Sequence, residues 1–257
     1  MAGGARWILD PATRGPVPEP DFLLAYGPGP ERVAEVRLPE GTGPAPLVLV
    51  LHGGYWRAKH DRGYLGPLCA ELTARGYLTA NVEYHRSGQP DGGWPGTAED
   101  VRAAVHVLPA LIEEAAPGRT GAGTVLLGHS AGGHLALLAA HEGITGILAL
   151  AAVSDLAETA RQRLDEGAAQ EFMGGEPAQL PEAYAAADPL RQGPPGARTV
   201  LVHGDADDRV PHAFSARYAE RFGVHLRTVP GADHFDLVAP GSPGFAAVVE
   251  ALAEVTG

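Results

Sequence analysis

Four short runs in this chain hold residue types that could carry out nucleophilic acyl chemistry. The first is G-H-S-A-G-G, Gly128 to Gly133, preceded by the apolar run TVLL and opening the helix-like stretch AGGHLALLAAH. A serine hydroxyl is a weak nucleophile, so it must be exposed, oriented and deprotonated as it attacks. A sharp strand-to-helix turn exposes it, and small residues at 128 and 132 let that turn close. The helix behind supplies free N–H groups and a favourable field for developing negative charge. Ser130 is therefore the candidate nucleophile. Ala131, the residue after it, is a candidate donor to an oxyanion.

The second run is H-G-G-Y-W, His52 to Trp56, directly after LVLVL. A tetrahedral oxyanion needs two or more preorganised donors, and a glycine loop lets backbone approach the ligand. Gly53, Gly54 and Tyr55 are the candidates, with Gly54 or Tyr55 preferred as donor. Tyr55 and Trp56 are also candidate walls of a substrate pocket, although aromatics here could equally pack beneath the loop. The third run is H-G-D-A-D-D-R-V-P, 203 to 211. An acid that orients a histidine must accept from its N–H. Asp205, Asp207 and Asp208 compete, and the pattern H-G-x-x-D-x-x-V-P selects Asp207.

The fourth run is G-A-D-H-F-D, 231 to 236, which lies after the last strand-like segment. With 11 histidines in the chain, no single one is informative by itself. His234 stands out because it completes the order Ser…Asp…His in a loop before the last helix. His52 and His203 precede glycines at strand ends and read as structural. His129 and His134 flank the serine and support its turn, with His129 also placed to touch substrate. No spacing matches a metal site or a nucleotide loop, so no metal and no cofactor are expected.

Those runs must be held by something. Short Val- and Leu-rich segments alternate with longer helix-period segments. Strands are expected at 31–38, 46–52, 77–83, 124–129, 144–151, 198–203 and 224–229, and helices at 62–75, 97–115, 131–142, 211–222 and 242–256. Near-continuous apolar runs such as LVLVL suit strands covered on both faces, so the alternation predicts a mostly parallel central sheet flanked by helices. Thr97 and Asp100 suggest a capping box at the start of the second helix. Residues 1–30 read as a proline-rich arm. Residues 155–197, with helix-like pieces at 156–172 and 179–187, are long enough to be a lid insertion within a single 1–257 domain.

Composition excludes other classes. A 45% hydrophobic content permits a sizeable core, and a net charge of −12 disfavours nucleic acid or an anionic membrane as partner. No run approaches the length of a membrane span, and the N-terminus lacks the pattern of a signal peptide, so a cytoplasmic location is expected. The lone Cys69, in an apolar helical run, reads as a buried structural thiol. Every basic residue except Lys59 is arginine, which reads as the coding bias of a high-GC bacterial genome. Monomer and homodimer are equally compatible with this surface.

Together these motifs resemble the esterase/lipase branch of the α/β-hydrolase superfamily across roughly 30–257. H-G-G-Y-W, G-H-S-A-G-G-H and D-H-F-D-L are similar to those of kynurenine formamidases and related small carboxylesterases, as are V-S-D-L (153–156) and the stretch 172–190. The resemblance implies an α/β-hydrolase fold and a Ser130, Asp207 and His234 triad. It also implies an oxyanion site around Gly53, Gly54 and Ala131. Tyr55 stands where many lipases of the branch have a third glycine, which tilts towards the formamidase-like side. The first expectation is a hydrolase of small acyl substrates, above all carboxylic esters. Hydrolysis of N-formyl aryl amides comes second. A transferase or cyclase using the same acyl-enzyme, or a receptor without catalysis, ranks below both.

Overall fold

The structure, a computed structural model, describes residues 8–10, 15–140 and 143–257. Eight strands form one sheet: β1 (Phe22–Ala25), β2 (Val33–Arg37), β3 (Leu47–Leu51), β4 (Leu78–Val82), β5 (Thr124–His129), β6 (Ile144–Leu150), β7 (Arg198–Gly204) and β8 (His225–Val229). Their order is β1-β2-β4-β3-β5-β6-β7-β8. The first two pairings are antiparallel, and every pairing from β4 to β8 is parallel.

Side chains alternate across the pleat, so one strand feeds two cores. Leu47, Leu49 and Leu51 of β3 belong to one apolar cluster, whereas Val48 and Val50 belong to the other. The first cluster is covered by α2 (Gly96–Ala115), α3 (Ala131–Ala139) and α8 (His212–Phe222), through residues such as Val101, Leu108, Leu135 and Phe214. The second is covered by α1 (Gly66–Ala74) and α9 (Pro243–Thr256), through Leu68, Leu72, Val248 and Leu252. This two-sided cover explains why all five residues of β3 and of β4 are buried. Cys69 lies within it, and burial pushes its thiol up to about 12.

The segment between β6 and β7 carries four short helices: α4 (Leu156–Arg161), α5 (Leu164–Met173), α6 (Pro181–Ala187) and α7 (Pro189–Gln192). The continuous helix expected over 156–172 is broken. Arg163, Asp165 and Glu166 adopt φ between 45° and 58°, the left-handed region that ends a right-handed helix. Three further expectations need correction. β1 lies inside the proline-rich arm. Thr97 does not cap α2; its Oγ1 donates to the His85 carbonyl, and Asp100 instead pairs with Arg32 and His85. The helix after Ser130 ends at Ala139, with Ala140 already extended, and residues 141 and 142 of the expected span fall outside the described residues, as do 1–7 and 11–14 of the arm. Among the described residues no helix is long and apolar enough to cross a membrane.

Parallel strands point their C-terminal ends the same way. The loops after β3, β5, β7 and β8 therefore gather at one edge of the sheet, where open α/β sheets build their sites. Register holds them level: Leu51 pairs with Gly128, Leu150 with Val202, and Gly204 with Val229.

Candidate active site

Ser130 sits on the turn between β5 and α3 with φ 59° and ψ −119°. A non-glycine residue holds such a backbone only when its surroundings fix it. Here the Ser130 N–H donates to the Leu150 carbonyl at 2.8 Å, and its own carbonyl accepts from His134 and Val153. The turn leaves no room beside it. A Cβ at Gly132 would lie 2.1 Å from the Leu51 carbonyl oxygen, so only glycine fits.

Asp207 and His234 meet across the loops after β7 and β8. His234 Nδ1 donates to Asp207 Oδ2 at 2.7 Å, which leaves Nε2 as the basic nitrogen. The Asp207 side chain is fully buried; Oδ1 accepts from Arg209 N and Val210 N, and His203 Nε2, bonded to the Val210 carbonyl, lies 3.2 Å from Oδ2. Burial alone would raise its pKa. The hydrogen bonds and charge of His203 and His234 outweigh that and hold the carboxyl well below the usual range. Asp205 instead accepts the Gly231 N–H at 2.6 Å, so it braces the loop carrying His234.

Ser130 and His234 line one cavity of about 100 Å³, together with Gly54, Tyr55, Tyr64, His129 and Phe235. Asp165 and Arg209 add charge to it, and Leu9 of the arm and His60 add further walls. Two expectations about this cavity are corrected. Trp56 is fully buried and does not line it; its ring stacks on Phe172 at 4.6 Å and meets His134 edge-on. Gly53 is not available as an oxyanion donor, because its N–H is spent on the Tyr64 hydroxyl at 2.7 Å. The N–H groups of Gly54, Tyr55 and Ala131 have no acceptor among the described residues.

The glycine loop is itself strained. Gly54, Tyr55 and Trp56 all have positive φ. Three anchors hold them there: Tyr55 Oη donates to the Arg209 carbonyl at 2.6 Å, Trp56 Nε1 to His134 Nδ1, and Arg57 N to the Gly54 carbonyl. His52 supports the loop from below through Glu83 and the Gly53 carbonyl. Tyr64 and His203 contact the site closely, yet nothing in the sequence around Tyr64 marks it. His203 was visible only as the first residue of the acid run.

The chain is similar in sequence and in fold to known proteins. Esterase LipC of Mycobacterium tuberculosis (strain ATCC 25618 / H37Rv) is 25% identical over 249 residues, covering 84% of this chain and 60% of the relative. Kynurenine formamidase of Danio rerio is 33% identical over 118 residues, 45% of this chain and 36% of that protein. The chain spans between 22% and 60% of the length of the curated relatives it matches. Among solved structures, a truncated carbohydrate esterase from gut microbiota superposes with a TM-score of 0.75 at 17% identity, over 91% of this chain and 95% of that one. At that identity the match speaks for the α/β-hydrolase fold alone. A family model described as BD-FAE matches residues 35–222, most of the chain, and the chain belongs to the BD-FAE family.

Proposed function

We propose that this chain is a serine hydrolase that cleaves small carboxylic esters through an acyl-enzyme. The observation that carries the reading is the buried Asp207–His234 pair sharing a small cavity with Ser130 on its strained turn. In the reaction, Ser130 Oγ attacks the ester carbonyl carbon while His234 Nε2 takes its proton. The carbonyl π pair moves onto oxygen, where the N–H groups of Gly54 or Tyr55 and of Ala131 receive it. Collapse of the intermediate breaks the bond to the alcohol, which leaves with the proton from His234. Water repeats the sequence and frees the acid. Asp207 remains ionised and holds His234 in the tautomer that makes Nε2 the base.

Cavity size supports a short acyl group. About 100 Å³ is well below the roughly 300–1,000 Å³ of sites for drug-sized ligands. The same observation, with the kynurenine formamidase match, supports a second reading in which the acyl group is formyl and the leaving group an aryl amine. Steady-state rates on p-nitrophenyl acetate, p-nitrophenyl octanoate and N-formylkynurenine separate the two. The ester reading expects acetate to exceed both others, with Ser130→Ala reducing kcat by roughly 10⁶-fold. Turnover of N-formylkynurenine alone would favour the second. No turnover of any, with no labelling by a fluorophosphonate, would sink both.

A further inference from the structure

Behind the cavity runs a chain of hydrogen bonds whose proton positions are determined by chemistry. It begins at His129 Nε2, 3.0 Å from the backbone carbonyl of His234. A carbonyl only accepts, so Nε2 carries a proton and donates. Burial and the nearby His234 lower the His129 pKa to about 3, so the ring is neutral at working pH and has no second N–H. Nδ1 is then an acceptor, and Tyr64 Oη, 2.8 Å away, must donate to it. The hydroxyl oxygen remains free to accept, and it accepts the N–H of Gly53 at 2.7 Å. Every donor in the sequence Gly53, Tyr64, His129, His234 has one acceptor, and the direction is the same throughout.

This chain joins the two halves of the site. At one end is the first peptide of the glycine loop, which precedes the free N–H groups of Gly54 and Tyr55. At the other is the backbone of the residue that bears the basic imidazole. The links pass directly behind the serine: a Cβ at Gly53 would lie 2.8 Å from Ser130 Cβ and 3.0 Å from Tyr64 Oη. Gly53, Tyr64 and His129 are all buried, so removing one link leaves its neighbour short of a hydrogen bond.

We propose that Tyr64 and His129 are positioning residues that lock the glycine loop to the His234 loop, so that oxyanion donors and base stay aligned about Ser130. This rests on the serine-hydrolase reading above. Without the Tyr64 hydroxyl, the Gly53 N–H is buried unpaired and the loop turns to find an acceptor. A displacement of about 1 Å in such a donor costs on the order of 100-fold in rate.

The test compares wild type, Ser130→Ala, Tyr64→Phe, His129→Leu and the Tyr64→Phe/His129→Leu double variant on p-nitrophenyl acetate. It also measures inhibition by a trifluoromethyl ketone, whose serine adduct mimics the tetrahedral intermediate. Tyr64→Phe should lower kcat about 10- to 100-fold with KM nearly unchanged. Its Ki for the ketone should rise by the same factor, and the double variant should fall no further than His129→Leu alone. A Tyr64→Phe kcat within twofold of wild type would overturn the proposal, as would a fall in kcat with an unchanged Ki. A wild type silent on every substrate would instead overturn the hydrolase reading. Nitrogen-15 histidine spectra of the wild type provide a check that needs neither variant nor substrate. They should show His129 protonated on Nε2 and bare on Nδ1, and the opposite tautomer would refute the chain of bonds.

Discussion

At the scale of single residues, the site turns on how many partners each group can satisfy. Asp207 accepts from three N–H groups, only one of which belongs to His234, and has His203 Nε2 3.2 Å away. Replacing it by asparagine keeps the shape but turns an acceptor into a possible donor, which favours the wrong tautomer of His234. Asp207→Asn should therefore lose about 10⁴-fold in kcat while remaining folded. Asp205→Asn, which alters only the brace to Gly231, should stay within about tenfold of wild type in the same assay. The reverse order would move the acid to Asp205. Among the three aspartates, the pattern H-G-x-x-D-x-x-V-P points to Asp207, and Asp207 is the one that meets His234. The commitment of the Gly53 N–H was not legible in that way. Its partner, Tyr64, is 11 residues further on in a segment without a motif, and only the folded geometry brings the two together. Trp56 was ambiguous for a related reason, since an aromatic after a glycine loop can face either the cavity or the core, and Phe172 decides between them.

At the scale of elements, the segment between β6 and β7 is held to the glycine loop by packing and by charge, and magnitudes distinguish the two. Phe172 of α5 is almost completely buried and stacks on Trp56, while Arg57 pairs with Asp165 and with Glu171 at 2.6 and 2.7 Å. Removing a buried phenylalanine costs about 3–5 kcal/mol, whereas partly exposed ion pairs contribute about 0–1 kcal/mol each. Thermal melts should then show Phe172→Ala lowering Tm by about 10 °C and Arg57→Ala by about 2–4 °C. The larger loss should persist in high salt, and a Tm for Arg57→Ala below that of Phe172→Ala would show that charge dominates. The seven strands expected from apolar runs all form, because two-sided burial imprints a continuous apolar pattern on a strand. β1 leaves no such imprint. It is four residues at the sheet edge, half exposed, and follows a run of prolines. The break at 163–167 left only a faint trace, since Gly167 favours a left-handed backbone but arginine and glutamate carry no mark of one.

At the scale of the whole molecule, buried titratable groups bound the range of pH over which the fold is stable. His129 and His134 are held neutral by burial, with pKa values lowered from 6.5 to about 3 and about 4. For His134 the geometry agrees: Nδ1 accepts from Trp56 Nε1 and Nε2 donates to the Ala187 carbonyl, so a further proton has no acceptor. The unfolded chain binds protons from about pH 6.5 downward and the folded chain does not, so stability falls as pH drops through that window. For His134 the loss reaches on the order of 3 kcal/mol by pH 4. Glu83 adds to it below about pH 4.5. Burial raises its pKa, but the charge and hydrogen bond of His52, with Arg86, bring it down to about 2. On the alkaline side, the Cys69 thiol lies at about 12 in the fold against 9.0 outside it, so stability falls again as pH rises above about 9. Surface charge works in the opposite direction on the acid side. A net charge of −12 relaxes as pH falls toward a pI of about 5.3, which favours the compact state. Salt separates these effects, because it screens exposed charges and hardly reaches buried ones. In 0.5 M NaCl, urea denaturation should give a plateau from about pH 7 to 9 and a decline beginning near pH 6.5. His134→Gln, which cannot take up a proton in either state, should narrow its stability deficit against wild type as pH falls from 7 to 4. A deficit that stays constant over that range would mean that His134 takes up its proton equally in the folded and the unfolded chain.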